Sequence, residues 1–164
     1  MSDKITLKRI ELIHPSIKEE LKQIYAEICE ALTGRAICRF THTYRTFAEQ
    51  DALYAIGRTK KGKRVTNAKG GQSYHNFRLA IDFCLVIDGK VASWDRKYDF
   101  DGDNVNDWEE VVKIFKMYGW EYGGDWATFP DYPHFQKTLG KSIKDLQRMY
   151  EAQGKPEYLQ FSHI

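Results

Sequence analysis

Residues 79–94, LAIDFCLVIDGKVASW, constrain the fold of this chain more than any other stretch. Ile81, Phe83, Leu85 and Ile87 recur at every second position, the period of a strand that turns one face to a core. Asp88-Gly89 is the dipeptide of a tight hairpin. Two antiparallel strands are therefore predicted, and a hairpin this short needs cover from the rest of the chain.

That cover is legible on both sides. Ile17, Leu21, Ile24, Tyr25, Ile28 and Leu32 keep helical spacing after Pro15 and a Ser16-x-x-Glu19 capping box, and Gly34 follows. RAICRFTHTY, from Arg35 to Tyr44, alternates as a strand. It leads to a second capping box, Thr46-x-x-Glu49, and a helix closed by Gly57. Val111, Val112, Phe115 and Tyr118 mark another helix stopped by Gly119. The segment Tyr132 to Phe135 reads as a short strand, and Ile143, Leu146, Met149 and Tyr150 as a last helix. The predicted class is α+β, a small antiparallel sheet packed with helices.

At 164 residues, 42% hydrophobic and 29% charged, the chain is long enough for one core and far from disordered composition. One domain over 1–164 is expected, with a core of about 12–152, a tail from about 155, and a monomeric state. No run approaches the ~20 apolar residues of a membrane-spanning helix, and MSDKITLKRIEL lacks the apolar stretch of a signal peptide. A cytoplasmic product without membrane insertion is expected. Cys29, Cys38 and Cys84 are widely spaced and contain no C-x-x-C pair, so they read as buried reduced thiols rather than a zinc site.

The net charge of +2 hides an uneven distribution, because 58–78 carries seven Lys and Arg and no acid. A solvated loop and a surface for an anionic partner both account for it. Nucleic acid is the weaker partner, since only Tyr74 and Phe77 interleave with the charges and no RNA- or DNA-binding signature is present.

Of the five histidines, His14, His42 and His163 look ordinary, at a helix start, in a strand and in the tail. His75 and His134 differ. Ser73-x-His75-x6-Asp82 runs from a loop into a strand, and Asp131-x-x-His134 enters another. Two imidazoles and one carboxylate make a three-ligand zinc set that leaves the fourth tetrahedral position to water, as hydrolytic zinc sites do. A carboxylate three residues before His134 is close enough to take a proton from that water, and Pro133 stiffens the connection.

SYHNFRLAIDF and GWEYGGDWATFPDYPHF, with THTYRTFAEQDALYAIGRT, resemble the L-alanyl-D-glutamate peptidase branch of the zinc D-alanyl-D-alanine peptidases, which are peptidoglycan hydrolases. The likeness spans roughly Arg39 to Phe135. It implies the hedgehog/D-Ala-D-Ala-peptidase-like fold, His75, Asp82 and His134 as zinc ligands, and Asp131 as catalytic base. It implies further that Arg45 holds substrate and steadies the oxyanion, and that Ser73 and Gln50 line the groove. Asp125 and Trp126 would shape its wall, Asp125 being either a turn residue or a partner that orients a ligand imidazole. Peptidoglycan stem peptides are then the partners, cut at the L-alanyl-D-glutamate bond. A D-alanyl-D-alanine carboxypeptidase or dipeptidase, or a zinc-binding module without catalysis, are the alternatives. Where relatives often have glycine, S-x-H-x-x-G, this chain has Arg78. The change bears on the local backbone and offers a positive contact for a substrate carboxylate.

Asp99, Asp101, Asp103, Val105, Asp107 and Glu110 occupy positions 1, 3, 5, 7, 9 and 12 of a twelve-residue calcium loop. Asn104 stands where such loops have glycine, and no entering helix precedes it. Calcium and a solvated acidic turn that caps the next helix are the two readings.

Overall fold

The computed structural model describes residues 1–162, so His163 lies outside the described residues. The elements run α1 (Lys4–Ile10), α2 (Pro15–Ala31), β1 (Ala36–His42), α3 (Phe47–Ala55), β2 (Ala80–Ile87) and β3 (Val91–Ser93). They continue with α4 (Asp107–Met117), β4 (Glu121–Tyr122), β5 (His134–Gln136) and α5 (Ile143–Ala152). Single 3-10 turns at Tyr74–Phe77 and Gly123–Asp125 precede β2 and follow β4. The five-stranded antiparallel sheet has the order β1-β2-β5-β4, with β3 paired to the far end of β2, and this is the predicted α+β class.

Strand parity divides the sheet chemically. Alternate residues face opposite sides, so Ile81, Phe83, Leu85 and Ile87 join the main core on one face. Phe135 stacks there on Phe115 at 4.1 Å, with Tyr122 at 4.9 Å and Phe83 at 5.6 Å. Trp108 of α4 closes on Phe83 at 4.2 Å. The opposite face carries Asp82, whose cross-strand partners are His134 on β5 and His42 on β1. Directly opposed residues share a face, so the register alone gathers two imidazoles around one carboxylate.

The second capping box forms as predicted, with Thr46 and Glu49 each accepting from the other's N–H. The first does not. Pro15 is already helical, and His14 is the cap, its Nδ1 accepting from Ser16 N–H at 3.1 Å while Nε2 meets the Leu159 carbonyl at 2.7 Å. The charged opening, which announced no element, folds as α1. Asp3 caps it through Thr6 N–H and takes both arms of the Arg39 guanidinium at 3.0 Å. The chain end packs as well, with Leu159 buried and the Phe161 ring 4.9 Å from that of His14.

Arg78 resolves the departure noted above. It takes φ 64°, the conformation glycine would supply, which costs an L-residue roughly 1–2 kcal/mol. Its guanidinium lies 3.7 Å over the Tyr44 ring and 4.5 Å from that of Tyr158, and donates to the Leu12 carbonyl at 2.8 Å. The side chain is therefore buried in packing and makes no contact surface for a substrate carboxylate. The three thiols are unpaired, with Cys38 and Cys84 buried and Cys29 partly so.

Candidate functional site

The charged face of the sheet floors a cleft of about 550 Å³. Its lining includes Arg45, Gln50, Ser73, His75, Asp82, Trp126, Asp131 and His134, together with His42 and Gln136. The wall opposite the sheet is the segment after α3. Arg58 holds that segment in shape by stacking 3.7 Å over Tyr54 and donating to the Tyr54 and Thr66 carbonyls. The basic strip is thus divided, since Arg58 and Arg78 fold inward while Lys60, Lys61, Lys63, Arg64 and Lys69 stay exposed.

His75 reaches the cleft from the 3-10 turn. Ser73 caps that turn by accepting from His75 N–H, and the turn is fastened to the β1–α3 junction by Arg45 N–H to the His75 carbonyl at 3.2 Å. The Thr43 carbonyl lies 3.0 Å from His75 Nδ1 and can only accept, so Nδ1 carries the proton and Nε2 presents a lone pair. Nε2 is buried and 3.2 Å from Asp82 Oδ1, in a geometry that makes no hydrogen bond.

A second chain of bonds orients His134. Trp126 Nε1–H donates to Glu121 at 3.0 Å, Glu121 accepts from the Gln136 amide at 2.8 Å, and Gln136 Oε1 lies 2.9 Å from His134 Nε2. Since indole only donates and carboxylate only accepts, Gln136 must turn its oxygen to the ring and Nε2 must carry the proton. His134 Nδ1 is left facing Asp82 Oδ1 at 2.9 Å. These partners are a consequence of register, because Glu121 pairs with Gln136 and Gln136 is two residues beyond His134.

Two lone pairs and a carboxylate oxygen thus point at one place, their atoms within 4.8 Å of one another. Such a set repels unless positive charge sits within it, as protons on the rings or as a metal ion. The titration follows the same logic. Burial works against ionised Asp82, yet positive charge on the neighbouring imidazoles, His75 first, and the bond with His134 hold its carboxyl far below the usual range. Burial likewise opposes charge on His134, but Asp82 raises it above the ordinary imidazole value. With two buried imidazoles oriented from behind and one partly buried carboxylate, three donors in all, the residues fit zinc with a position left open.

Asp131 stands at the cleft mouth. Its N–H donates to the Gly123 carbonyl at 2.9 Å, and its carbonyl accepts from His134 N–H at 3.2 Å. Gly123 is required here because a Cβ would overlap the Asp131 carbonyl oxygen and crowd His134 Cβ. Loss of water around the Asp131 carboxyl, then the Asp82 charge, raises it above the usual carboxylate value. Arg45 Nη2 lies 3.8 Å from Asp82 Oδ2, and Nη1 donates to Gln50 at 3.0 Å. Gln50 is wholly buried and gives its amide to the Ala68 carbonyl at 2.9 Å, so it fixes the guanidinium. The Trp126 ring lies 5.4 Å from that of His134. Asp125 does not join the site. It is exposed and paired with Lys116 at 2.8 Å, so orienting the two imidazoles falls to Thr43 and Gln136.

His42, which looks ordinary in the sequence, lines the cleft, and Gln136 and Glu121 carry no signal of their own there. Their placement depends on which strand lies beside which, and only the alternation within 36–42 and the polar glutamine after an aromatic strand hinted at it.

Outside the cleft, the acidic loop also gathers its side chains. Burial first, and then the charges of Asp103, Asp101 and Asp107, push Glu110 up to about 8.

A family model described as D-alanyl-D-alanine carboxypeptidase matches residues 66–137, which include His75, Asp82, Asp131 and His134. The chain is 45% identical over 124 residues to the peptidoglycan L-alanyl-D-glutamate endopeptidase CwlK of Bacillus subtilis (strain 168), covering 76% of this chain and 72% of that protein. It is 33% identical over 89 residues to the L-alanyl-D-glutamate peptidase of Listeria phage A118, covering 51% of this chain and 29% of that protein. Among solved structures, the Serratia marcescens L-Ala D-Glu endopeptidase ChiX shares the fold at a TM-score of 0.56 and 21% identity, over 83% of this chain and 88% of that one. With a relative this similar across most of both chains, the chain belongs to the M15 family of metallopeptidases.

Proposed function

We propose that the chain is a zinc-dependent endopeptidase that cleaves the L-alanyl-D-glutamate bond of peptidoglycan stem peptides. The observation that carries the zinc reading is the convergence of His75 Nε2, His134 Nδ1 and an Asp82 oxygen within 4.8 Å, beside Asp131 and Arg45 in one cleft. The choice of bond rests on the 45% identical relative, named for that cleavage.

His75, Asp82 and His134 would hold the ion. When bound, zinc supplies Lewis acidity and brings the pKa of a water down to about 7. Asp131 accepts a proton as water attacks the amide carbonyl, and returns it to the departing amine. Arg45, held in place by Gln50, offers a fixed positive charge to the oxygen of the tetrahedral intermediate or to a substrate carboxylate, a donor of the kind worth about 3 kcal/mol. Ser73 and Trp126 line the groove, Ser73 acting also through the cap that sets His75.

Mass spectrometry of muropeptides after digestion tests the reading. New N-terminal D-glutamyl ends are expected. Release of terminal D-alanine alone would replace the endopeptidase with a carboxypeptidase, and intact peptides from zinc-loaded protein would leave a binding module.

A further inference from the structure

The segment from Asp99 to Glu110 crowds carboxyl groups that no basic side chain among the described residues neutralises. Oxygens of Asp99, Asp101 and Asp107 lie within 4.8 Å of one another, as do those of Asp101, Asp103 and Glu110, and Asp101 belongs to both sets. Among the described residues none of the five carboxylates forms an ion pair with a basic side chain.

Burial turns this crowding into a specific demand. Asp107 is 0% exposed, and while its Oδ1 accepts from Phe100 N–H at 2.7 Å, its Oδ2 has no partner at all. Glu110 Oε2 is buried and unpartnered in the same way. A carboxylate oxygen shut off from water and left without a donor is costly, and two in one cluster repel each other besides. A cation among them answers both needs.

The loop is already shaped around that point. Asp99 accepts from the N–H groups of Asp101, Gly102 and Asn104 at 3.2, 2.7 and 2.8 Å, and Asn104 takes φ 71° where the chain must turn sharply. Thr33, just past α2, fixes Asp101 with its N–H and its hydroxyl, both at 3.2 Å.

We propose that Asp99, Asp101, Asp103, Asp107 and Glu110 bind a hard divalent cation of the calcium class, with Val105 placed where such loops use a backbone carbonyl. The donors are all oxygen, which excludes ions that prefer nitrogen or sulfur. Calcium accepts many carboxylates in an irregular shell, whereas magnesium demands a near-octahedral one and keeps its water. Occupancy would steady more than the loop. Asp107 is the first residue of α4, and Trp108 beside it packs on Phe83, the neighbour of Asp82 in β2. This site does not depend on which bond the cleft cuts.

Calorimetric titration of the zinc-loaded full chain with calcium chloride tests it, alongside thermal melts and zinc analysis. Saturable heat is expected, with the melting temperature rising roughly 5–10 °C at a hundredfold excess over Kd and zinc retained. Glu110→Gln and Asp103→Asn should each weaken calcium binding at least tenfold. Asp103 is exposed, so its variant separates lost binding from lost folding. Magnesium should bind at least tenfold more weakly. Absence of heat and of any melting shift would overturn the proposal, as would an undiminished response in both variants or zinc released in step with calcium uptake. Stability that follows pH but ignores calcium would overturn it too, since protons alone would then neutralise the cluster.

Discussion

The cleft and the acidic loop are both carboxylate-bearing clusters, and they are built in opposite ways. The cleft draws His75, Asp82 and His134 from a 3-10 turn and two strands, the last two lying 52 positions apart in sequence. The loop draws its five acids from twelve consecutive residues. The dispersed set is held by the whole sheet, with each imidazole backed by a fixed acceptor, so it is rigid before any ion arrives. The contiguous set is shaped by its own turns and hung on the start of one helix, so its geometry has more room to adjust. Changes in the cleft should therefore act on chemistry, and changes in the loop on stability.

The largest effect is expected from His134→Ala, which should abolish both zinc retention and hydrolysis. Metal analysis beside a turnover assay reads both, and zinc kept in full would remove His134 from the ligand set. Next comes Asp131→Ala, for which zinc should stay while turnover falls roughly 10²–10⁴-fold, the usual worth of a positioned acid–base group. Zinc lost with that variant would make Asp131 a ligand and break the division of roles.

Gln136→Met keeps much of the volume but removes the acceptor behind His134 Nε2. Zinc affinity should drop about 10–100-fold in competition with a chelator, as when a partner that orients a metal ligand is lost. An unchanged affinity would mean that the Trp126–Glu121–Gln136 chain does not set the tautomer. The smallest effect belongs to the loop. With calcium chelated, Asp103→Asn should raise stability by roughly 0.5 kcal/mol through relief of like-charge repulsion. With calcium in excess it should fall below the parent, and thermal melts in the two buffers would detect that crossing. A shift of the same sign in both would count against the contrast drawn between the two regions.

Features that depend on neighbours in sequence were the ones open to reading from it. The strand at 80–87, the Asp88-Gly89 turn, the capping box of α3 and the spacing of the acidic loop are each decided within a few residues. The helix α1 was not visible because its seven residues bury only Thr6 and Ile10 and owe their place to Arg39 and Tyr25 far along the chain. The cap of α2 differs because the Ser16 and Glu19 spacing also fits within a helix that begins two residues earlier, capped by His14. Arg78 could not be placed, since its ring partners Tyr44 and Tyr158 lie on either side of it at long range.

The sequence by itself determined the chemical kinds of the site: two histidines and an aspartate next to strand-forming segments, a second aspartate three residues before one histidine, and an arginine before a helix. Only the tertiary structure decided which atoms of those groups meet. Cross-strand register set Asp82 between His134 and His42 and put Gln136 and Glu121 behind the ring. Register follows from burying Phe83, Phe135 and Phe115 together on the other face of the sheet, a packing condition that involves the whole chain at once.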